Sequence, residues 1–301
     1  MVRHHEISGS DCRLRVQTVG SEQGEAFVLL HGMKDHSGGL MHIAEAFPEH
    51  HLIIPDLRGH GRSDHPGCYT LSYFLSDLMQ ILDYFDVKKC TLLGHSLGGH
   101  IASWFTALYP DLVEKLIIVD GFGPPRSREG DDLQVFLLRQ RQQVTMLKSL
   151  NATGRRMSGF QEALKRFQQH NPKLEDSYAR RIVEEGIREL DNGEVIWRWD
   201  PRVDMVWGTF SHTDSEGLYR EIACPTMVIT GSEGLAYWRF KNNRLKDEQT
   251  WYQSEISRRV DLFKDAVHLE IEGAGHMVQF DKPGELITAV SCFLSPSSRS
   301  N

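Results

Sequence analysis

A serine crowded by glycines at the end of an apolar run is the feature that most constrains the fold of this chain. The run ends in Gly-His-Ser-Leu-Gly at residues 94–98, and a helical pattern follows from Ile101 to Tyr109. This arrangement is typical of a strand-to-helix turn so sharp that its serine, Ser96, adopts a strained backbone conformation. The flanking residues have to be glycine because a β-carbon there would collide with the neighbouring strand or helix. We expect the turn to lift the Ser96 hydroxyl clear of the sheet, with the N–H of Leu97 pointing at the same spot.

Short apolar runs alternate with helical patterns along most of the chain. Besides the strand before Ser96, the runs predict an edge hairpin at 6–20 and strands at 26–30, 51–55, 115–119, 225–230 and 267–272. The helical patterns lie at residues 40–47, 71–85, 248–263 and 283–294. Alternation of this kind predicts an α/β fold with a doubly wound, mostly parallel sheet.

The pattern changes after Pro124, where the alternation stops. Helical patterns without an intervening strand fill residues 131–150, 158–171 and 174–190. A less regular aromatic segment follows before the strand pattern resumes. We therefore predict a core made of residues 1–124 and 218–301, interrupted by a helical cap at 125–217. Because the insertion follows the C-terminal end of a strand, it can fold over the edge of the sheet that carries Ser96.

A serine hydroxyl becomes an effective nucleophile when a general base takes its proton. The chain has fifteen histidines, and His276 has the best setting because it ends a Gly-Ala-Gly-His loop after the last predicted strand. From there the imidazole can reach over the turn that holds Ser96. His95 precedes Ser96 directly, and strand alternation predicts that its side chain points away and serves packing.

These motifs together resemble the α/β-hydrolase fold family, and within it the capped serine hydrolases. The resemblance covers the whole chain and rests on His-Gly-Met at 31–33, the loop at 56–63, the turn at 94–98 and the closing Gly-His at 275–276. It implies that the backbone N–H groups of Met33 and Leu97 form an oxyanion hole.

The resemblance leaves two candidates for the acid that orients the histidine. Many members carry it after the strand that corresponds to residues 225–230, in a Gly-x-x-Asp pattern. This chain has Gly-Ser-Glu-Gly there, so Glu233 lies one position early. Other members carry the acid one strand earlier, where this chain has Asp120. We favour Asp120 and keep Glu233 as the alternative.

The expected activity is hydrolysis of a small or medium carboxylic ester, or thioester, through an acyl-enzyme held by a Ser-His-Asp triad. Two alternatives stay open. One is hydrolysis of a carbon–carbon bond on the same triad, and the other is a ligand-binding receptor on the hydrolase scaffold with little turnover. A small-molecule acyl substrate is the expected partner, and the chemistry needs neither cofactor nor metal. Candidates for the pocket roof, or equally for packing of the cap on the core, are Phe122, Trp197, Trp199 and Trp207.

Composition narrows the remaining classes of protein. The net charge of −7 argues against a nucleic-acid-binding protein, which needs a basic stripe. Residues 1–15 lack the apolar stretch of a secretory signal, and no apolar window is long enough to span a membrane. The five cysteines are scattered and form no Cys-x-x-Cys pair, which is typical of reduced thiols. We therefore expect a cytoplasmic protein, and the sequence leaves its oligomeric state open.

Overall fold

A central sheet of eight strands organises the protein. The computed structural model describes residues 1–126, 133–149, 154–241 and 248–295. The strands in chain order are β1 (Arg3–Ser8), β2 (Arg13–Gly20), β3 (Ala26–Leu30), β4 (His51–Pro55), β5 (Cys90–His95), β6 (Val113–Val119), β7 (Ile187–Glu189), β8 (Val195–Trp197), β9 (Thr226–Gly231) and β10 (Ala266–Ile271). All except β7 and β8, which form a separate antiparallel hairpin, belong to the large sheet.

The sheet is mostly parallel, in the order β1-β2-β4-β3-β5-β6-β9-β10. Only the pairings of β2 with β1 and with β4 are antiparallel. Neighbouring residues of one central strand enter two different apolar clusters, with Leu92 on one face of the sheet and Leu93 on the other. Burial on both faces explains why the central strands are continuous apolar runs rather than alternating ones.

Helices cover both faces of the sheet. In chain order they are α1 (Met41–Ala44), α2 (Leu71–Tyr84), α3 (Leu97–Leu108), α4 (Leu133–Ser149), α5 (Phe160–His170), α6 (Asp176–Gly186), α7 (His212–Tyr219), α8 (Gly234–Lys241), α9 (Gln249–Val260), α10 (Val278–Asp281) and α11 (Pro283–Leu294). Side chains of α2, α3 and α9 enter one apolar cluster, whereas those of α1 and α11 enter the other. The predicted doubly wound α/β architecture is therefore confirmed.

A largely helical segment is inserted between β6 and β9, as the sequence predicts. It contains α4, α5, α6, the β7–β8 hairpin and a 3₁₀ helix at Pro201–Thr209. Its own small apolar cluster includes Leu164 and Val183, which lie on the facing sides of α5 and α6. The helix α7 runs across residue 217, where we expected the cap to end, and its Tyr219 is buried in the core of the sheet domain.

Three local predictions differ from the structure. The helix predicted at 174–190 ends at Gly186, because the next residues pair with β8. The helix predicted at 40–47 is reduced to a 3₁₀ turn at Ser37–Leu40 followed by the four residues of α1, all of them buried. The helix α8 was not predicted at all. Periodicity within a segment does not report the strand pairing and the burial that shape these segments.

The loop at residues 56–63 is anchored by a buried ion pair. The Arg58 side chain is fully buried, and its Nε and Nη2 donate to the two carboxylate oxygens of Asp77 at 2.7 and 2.8 Å. Nη1 of Arg58 donates to Asp11 at 2.9 Å. This bidentate geometry fixes the loop to α2.

The described part of the chain offers no helix that combines the length and the apolar character needed to cross a bilayer. Its five cysteines are all free thiols.

We expect Asp77→Ala to lower the free energy of unfolding by about 3–5 kcal/mol, because the buried guanidinium of Arg58 loses its main counter-ion. Urea unfolding followed by circular dichroism measures the change. The control is Asp64→Ala, which removes the exposed pair with Arg13 and should leave stability nearly unchanged. Equal losses in the two variants would contradict the role assigned to the buried pair.

Candidate active site

Ser96 lies in the turn between β5 and α3 with a strained backbone. Its φ of 52° is in the left-handed region that non-glycine residues rarely adopt. A β-carbon on Gly94 would lie 2.2 Å from the carbonyl oxygen of Gly98, and one on Gly98 would lie 2.1 Å from that of Leu30. The reason given for glycine on both sides of the serine, a collision with the adjacent helix or strand, is therefore confirmed.

His276 connects Ser96 to Asp120 through two hydrogen bonds. Its Nε2 lies 2.9 Å from Ser96 Oγ, and its Nδ1 lies 2.6 Å from Asp120 Oδ2. The three residues follow the C-terminal ends of β5, β6 and β10, which meet at one edge of a parallel sheet. When Nδ1–H donates to the carboxylate, Nε2 is left as an acceptor for the serine hydroxyl proton. All three residues are nearly closed off from solvent, with 8%, 5% and 4% of their surface exposed for Ser96, His276 and Asp120.

Glu233, the alternative acid, points elsewhere. Glu233 is exposed, and its Oε2 accepts a hydrogen bond from Nζ of Lys173 at 2.7 Å. Lys173 belongs to the inserted segment, so this pair joins that segment to the loop after β9. The structure thus brings Asp120 to the imidazole, whereas Glu233 lies in an ion pair at the surface.

The loop that follows β3 approaches the serine closely. A β-carbon on Gly32 would lie 3.2 Å from Cβ of Ser96 and 2.7 Å from Nδ1 of His95. Met33 is the residue after Gly32, so its backbone starts next to the turn that holds Ser96. Leu97 is the first residue of α3, where an N–H group has no acceptor within the helix. The two backbone groups expected to form an oxyanion hole thus flank the same serine.

Two buried histidines hold these loops in place. His31 accepts a hydrogen bond from the Leu57 N–H on Nε2 (2.9 Å) and donates from Nδ1 to the carbonyl of Gly32 (2.7 Å). Such bonds require one donor and one acceptor nitrogen, so the ring is neutral. Burial lowers the pKa of His31 to about 3, and it has the same effect on His95.

His95 contributes more than the packing that strand alternation predicts. Its ring is buried, with Nε2 donating to the carbonyl of His276 at 2.9 Å and Nδ1 accepting from Nε2 of Gln279 at 3.2 Å. His95 therefore fixes the backbone of the loop that carries His276. Alternation predicts the direction of this side chain but not which loop it meets, because that loop is 181 residues away in sequence.

An aromatic pair on α8 encloses the imidazole of His276, and sequence reasoning missed it. The Tyr237 ring stacks on the imidazole with a centroid separation of 3.7 Å and an interplanar angle of 12°. The Trp238 ring meets it edge-on at 5.6 Å. The sequence did contain a signal for this contact, a tyrosine next to a tryptophan shortly after the strand that ends at Gly231. The segment that carries the acid in many members thus supplies aromatic contacts to the histidine here.

The four candidates for the pocket roof lie in different places. Phe122 is buried in the core against Tyr219, and Trp197 packs against Phe167 within the inserted segment. Trp207 contacts His100 and Phe210. These contacts fit packing, one of the two roles that the sequence left open for Phe122, Trp197 and Trp207. Trp199 differs, since Nζ of Lys34, two residues beyond Gly32, lies 5.2 Å from its ring.

Within the described ranges, histidine, cysteine, aspartate and glutamate side chains form no group of three or more that could hold a metal ion.

Comparison with known proteins assigns the family. The sequence model of the alpha/beta hydrolase fold matches residues 25–283, so the chain belongs to the α/β-hydrolase fold family. It is similar to a serine hydrolase-like protein of Danio rerio, 28% identical over 95% of this chain and 86% of that protein. It is also 27% identical to a putative esterase/lipase of Haemophilus influenzae, over 89% of this chain and 82% of that protein.

Among solved structures, the fold resembles a thioesterase domain from the curacin biosynthetic pathway. The TM-score is 0.81 at 17% identity, over 97% of this chain and 99% of that domain. At this level of identity the similarity shows the fold alone.

The buried histidines predict a loss of stability in acid. The unfolded chain binds a proton on each imidazole below pH 6.5, whereas the folded protein does not until the pH nears 3. The free energy of unfolding should therefore fall as the pH drops through this window, by about 2 kcal/mol per residue at pH 5.

The variant His95→Gln removes one titrating group while keeping a donor and an acceptor. Its loss of unfolding free energy between pH 7 and pH 5, measured by urea titration, should be smaller than that of the unsubstituted protein by about 2 kcal/mol. His170→Gln, at an exposed position on α5, is the control and should leave the difference unchanged. An unaltered pH dependence in His95→Gln would refute the assignment.

Proposed function

We propose that this protein is a serine hydrolase that cleaves a small or medium carboxylic ester, or a thioester, through an acyl-enzyme. In this proposal Ser96 is the nucleophile, His276 is the general base and Asp120 is the acid that orients it. The backbone N–H groups of Met33 and Leu97 stabilise the oxyanion.

The observation that carries the proposal is the unbroken chain of hydrogen bonds from Asp120 through His276 to Ser96. A serine beside a histidine is a common surface contact, but here the pair is buried and the far nitrogen of the histidine meets a buried carboxylate. Such a carboxylate stabilises the imidazolium that forms when the serine loses its proton. The stacked ring of Tyr237 restricts the imidazole to this orientation.

The proposed reaction has two halves. Ser96 Oγ attacks the carbonyl carbon while its proton moves to Nε2 of His276, and the carbonyl oxygen takes up negative charge. The tetrahedral intermediate expels an alkoxide or thiolate, which receives the proton from His276. Water then attacks the acyl-enzyme, giving its proton to His276, and the carboxylic acid is released as Ser96 regains a proton. Each amide that faces the oxyanion is worth roughly 3 kcal/mol of barrier.

Support for an ester substrate comes from a relative that is named a putative esterase/lipase. A thioester is proposed beside it on chemical grounds. Both bond types pass through the oxyanion described above. We also propose that residues 125–217 act as the cap over the site, which is supported by the contacts of Lys173 with Glu233 and of His36 Nε2 with the carbonyl of Ile182.

Labelling with a fluorophosphonate probe and turnover of p-nitrophenyl butanoate test the proposal. Both should be present in the unsubstituted protein and absent in Ser96→Ala, because the probe and the ester require the same nucleophile. The matched control is Ser103→Ala on α3, the helix that follows Ser96; the Ser103 hydroxyl donates to the carbonyl of Gly99 at 2.8 Å. Tight ligand binding without labelling would indicate a receptor instead. Labelling without turnover of esters or thioesters would direct the search to carbon–carbon bond hydrolysis.

The identity of the acid gives a second prediction. Asp120→Asn should lower kcat by about 10⁴, because the amide cannot hold the imidazole in the required tautomer or stabilise its charge. Glu233→Gln should retain nearly full kcat, since it alters only the surface pair with Lys173. Steady-state kinetics with p-nitrophenyl butanoate compares the two variants. The reverse pattern would make Glu233 the acid.

A further inference from the structure

The imidazole of His276 is contacted from three directions. Two contacts lie at the edge of the ring, where Nδ1 meets Asp120 Oδ2 at 2.6 Å and Nε2 meets Ser96 Oγ at 2.9 Å. The third lies on its face, where the Tyr237 ring stacks with a centroid separation of 3.7 Å and an interplanar angle of 12°. Tyr237 therefore acts on the imidazole through its π face, apart from the hydrogen bonds that set the tautomer.

These two rings overlap more closely than two neutral aromatic rings prefer. Neutral pairs favour offset or edge-to-face arrangements with centroids roughly 4.5–7 Å apart, because each ring is negative on its faces and positive at its edge. The core pair of Tyr219 and Phe263 follows this rule, since it is also nearly parallel, at 15°, but has its centroids 4.9 Å apart. At 3.7 Å the rings of Tyr237 and His276 lie almost directly over each other, so that two negative faces meet while both rings are neutral.

Protonation of His276 turns this contact into an attraction. In the proposed reaction Nε2 takes the proton of Ser96, and the imidazole becomes a cation while the tetrahedral intermediate forms. A cation over the face of an aromatic ring, within about 6 Å of the ring centre, is attracted by the negative charge of that face. The contact with Tyr237 is therefore stronger in the transition state than in the ground state, which is the condition for an interaction to accelerate a reaction.

The helix α8 is anchored so that Tyr237 keeps this position. Its Leu235 and Trp238 are buried in the core of the sheet domain. Its first residue, Gly234, packs on the acid, since a β-carbon there would lie 3.4 Å from Asp120 Oδ2. One short helix thus contacts the carboxylate at its start and the imidazole three residues later.

Tyr237 meets the imidazole as a neutral phenol. Burial raises the pKa of the Tyr237 hydroxyl, and the nearby carboxylates of Asp204 and Asp120 raise it further. Nζ of Lys241 also lies over this ring, but at 5.5 Å it is farther from the ring centre than the imidazole is, and it takes no part in the proposed reaction. The charge that changes during turnover next to this ring is therefore that of the imidazole.

We propose that the π face of Tyr237 stabilises the imidazolium that His276 becomes during the reaction, so that Tyr237 is a positioning residue that acts through the general base. The inference rests on the hydrolase function proposed above and adds a fourth side chain to its mechanism. The effect belongs to the ring and not to the hydroxyl, because the attraction comes from the electron distribution of the ring face.

Two variants separate the ring from the hydroxyl. Tyr237→Phe keeps the aromatic face and should retain kcat for p-nitrophenyl butanoate within about twofold. Tyr237→Leu removes the face and should lower kcat about tenfold, the effect of losing a cation–π contact that is shielded from water. A tenfold loss in Tyr237→Phe would assign the effect to the hydroxyl and overturn the proposal.

Fluorinated side chains separate the charge distribution of the ring from its shape. The series is Tyr237→Phe, Tyr237→p-fluorophenylalanine and Tyr237→3,4,5-trifluorophenylalanine, introduced by genetic code expansion. Fluorine withdraws electron density from the ring face and changes the size of the ring little. We expect kcat to fall stepwise along the series, by about fivefold in total. The rate of labelling by the fluorophosphonate should fall in the same order, because that probe requires the same base but is a different substrate.

The matched control places the same fluorinated residues at Phe263, which stacks on the uncharged ring of Tyr219, and should leave kcat unchanged. Equal kcat along the series at Tyr237, full activity in Tyr237→Leu, or an equal fall at Phe263 would overturn the role of the ring face. In each of these cases labelling and ester turnover persist, so the hydrolase function stands. Absence of labelling and turnover in the unsubstituted protein would instead contradict the hydrolase function itself.

Discussion

The hydrogen bonds that His276 makes to Ser96 and to Asp120 depend on one property of the sheet. Parallel strands direct all their C-terminal ends to the same edge, so residues that follow β5, β6 and β10 meet there although they are far apart in sequence. The strain at Ser96 is tolerated because the strand and the helix on either side are held by the rest of the core. Glycine at positions 94 and 98 lets these elements approach within distances that any β-carbon would prevent.

Around this centre, several buried polar side chains hold the loops in position and do not take part in the proposed reaction. His31 joins the loop after β3, the proposed oxyanion loop, to the loop after β4, and His95 holds the carbonyl of His276. Both imidazoles stay neutral because burial penalises their charged form. The Tyr237 ring stacks on one face of the His276 imidazole and restricts its orientation. The loops of the site are therefore fixed by groups that need not contact a substrate.

The sequence predicted the parts of the site that follow from local chain geometry. The strand-to-helix turn at Ser96 and the histidine after the last strand are local patterns, and the structure brings the two side chains together. The choice between Asp120 and Glu233 could not be made locally, because both residues follow strands that end at the same edge. The position of Tyr237 was missed for a related reason, since the helix α8 is short and contains no strong periodic signal.

Length and patterning of the apolar runs by themselves determined the α/β class, the parallel sheet and the presence of an insertion after β6, because burial on both faces demands continuous apolar strands. Close packing by itself determined which residues near Ser96 had to be glycine. The tertiary structure decided which carboxylate reaches His276 and which aromatic rings enclose it. These outcomes depend on side-chain directions set by contacts between separate segments, 156 residues apart for Asp120 and His276, and no local pattern encodes such directions.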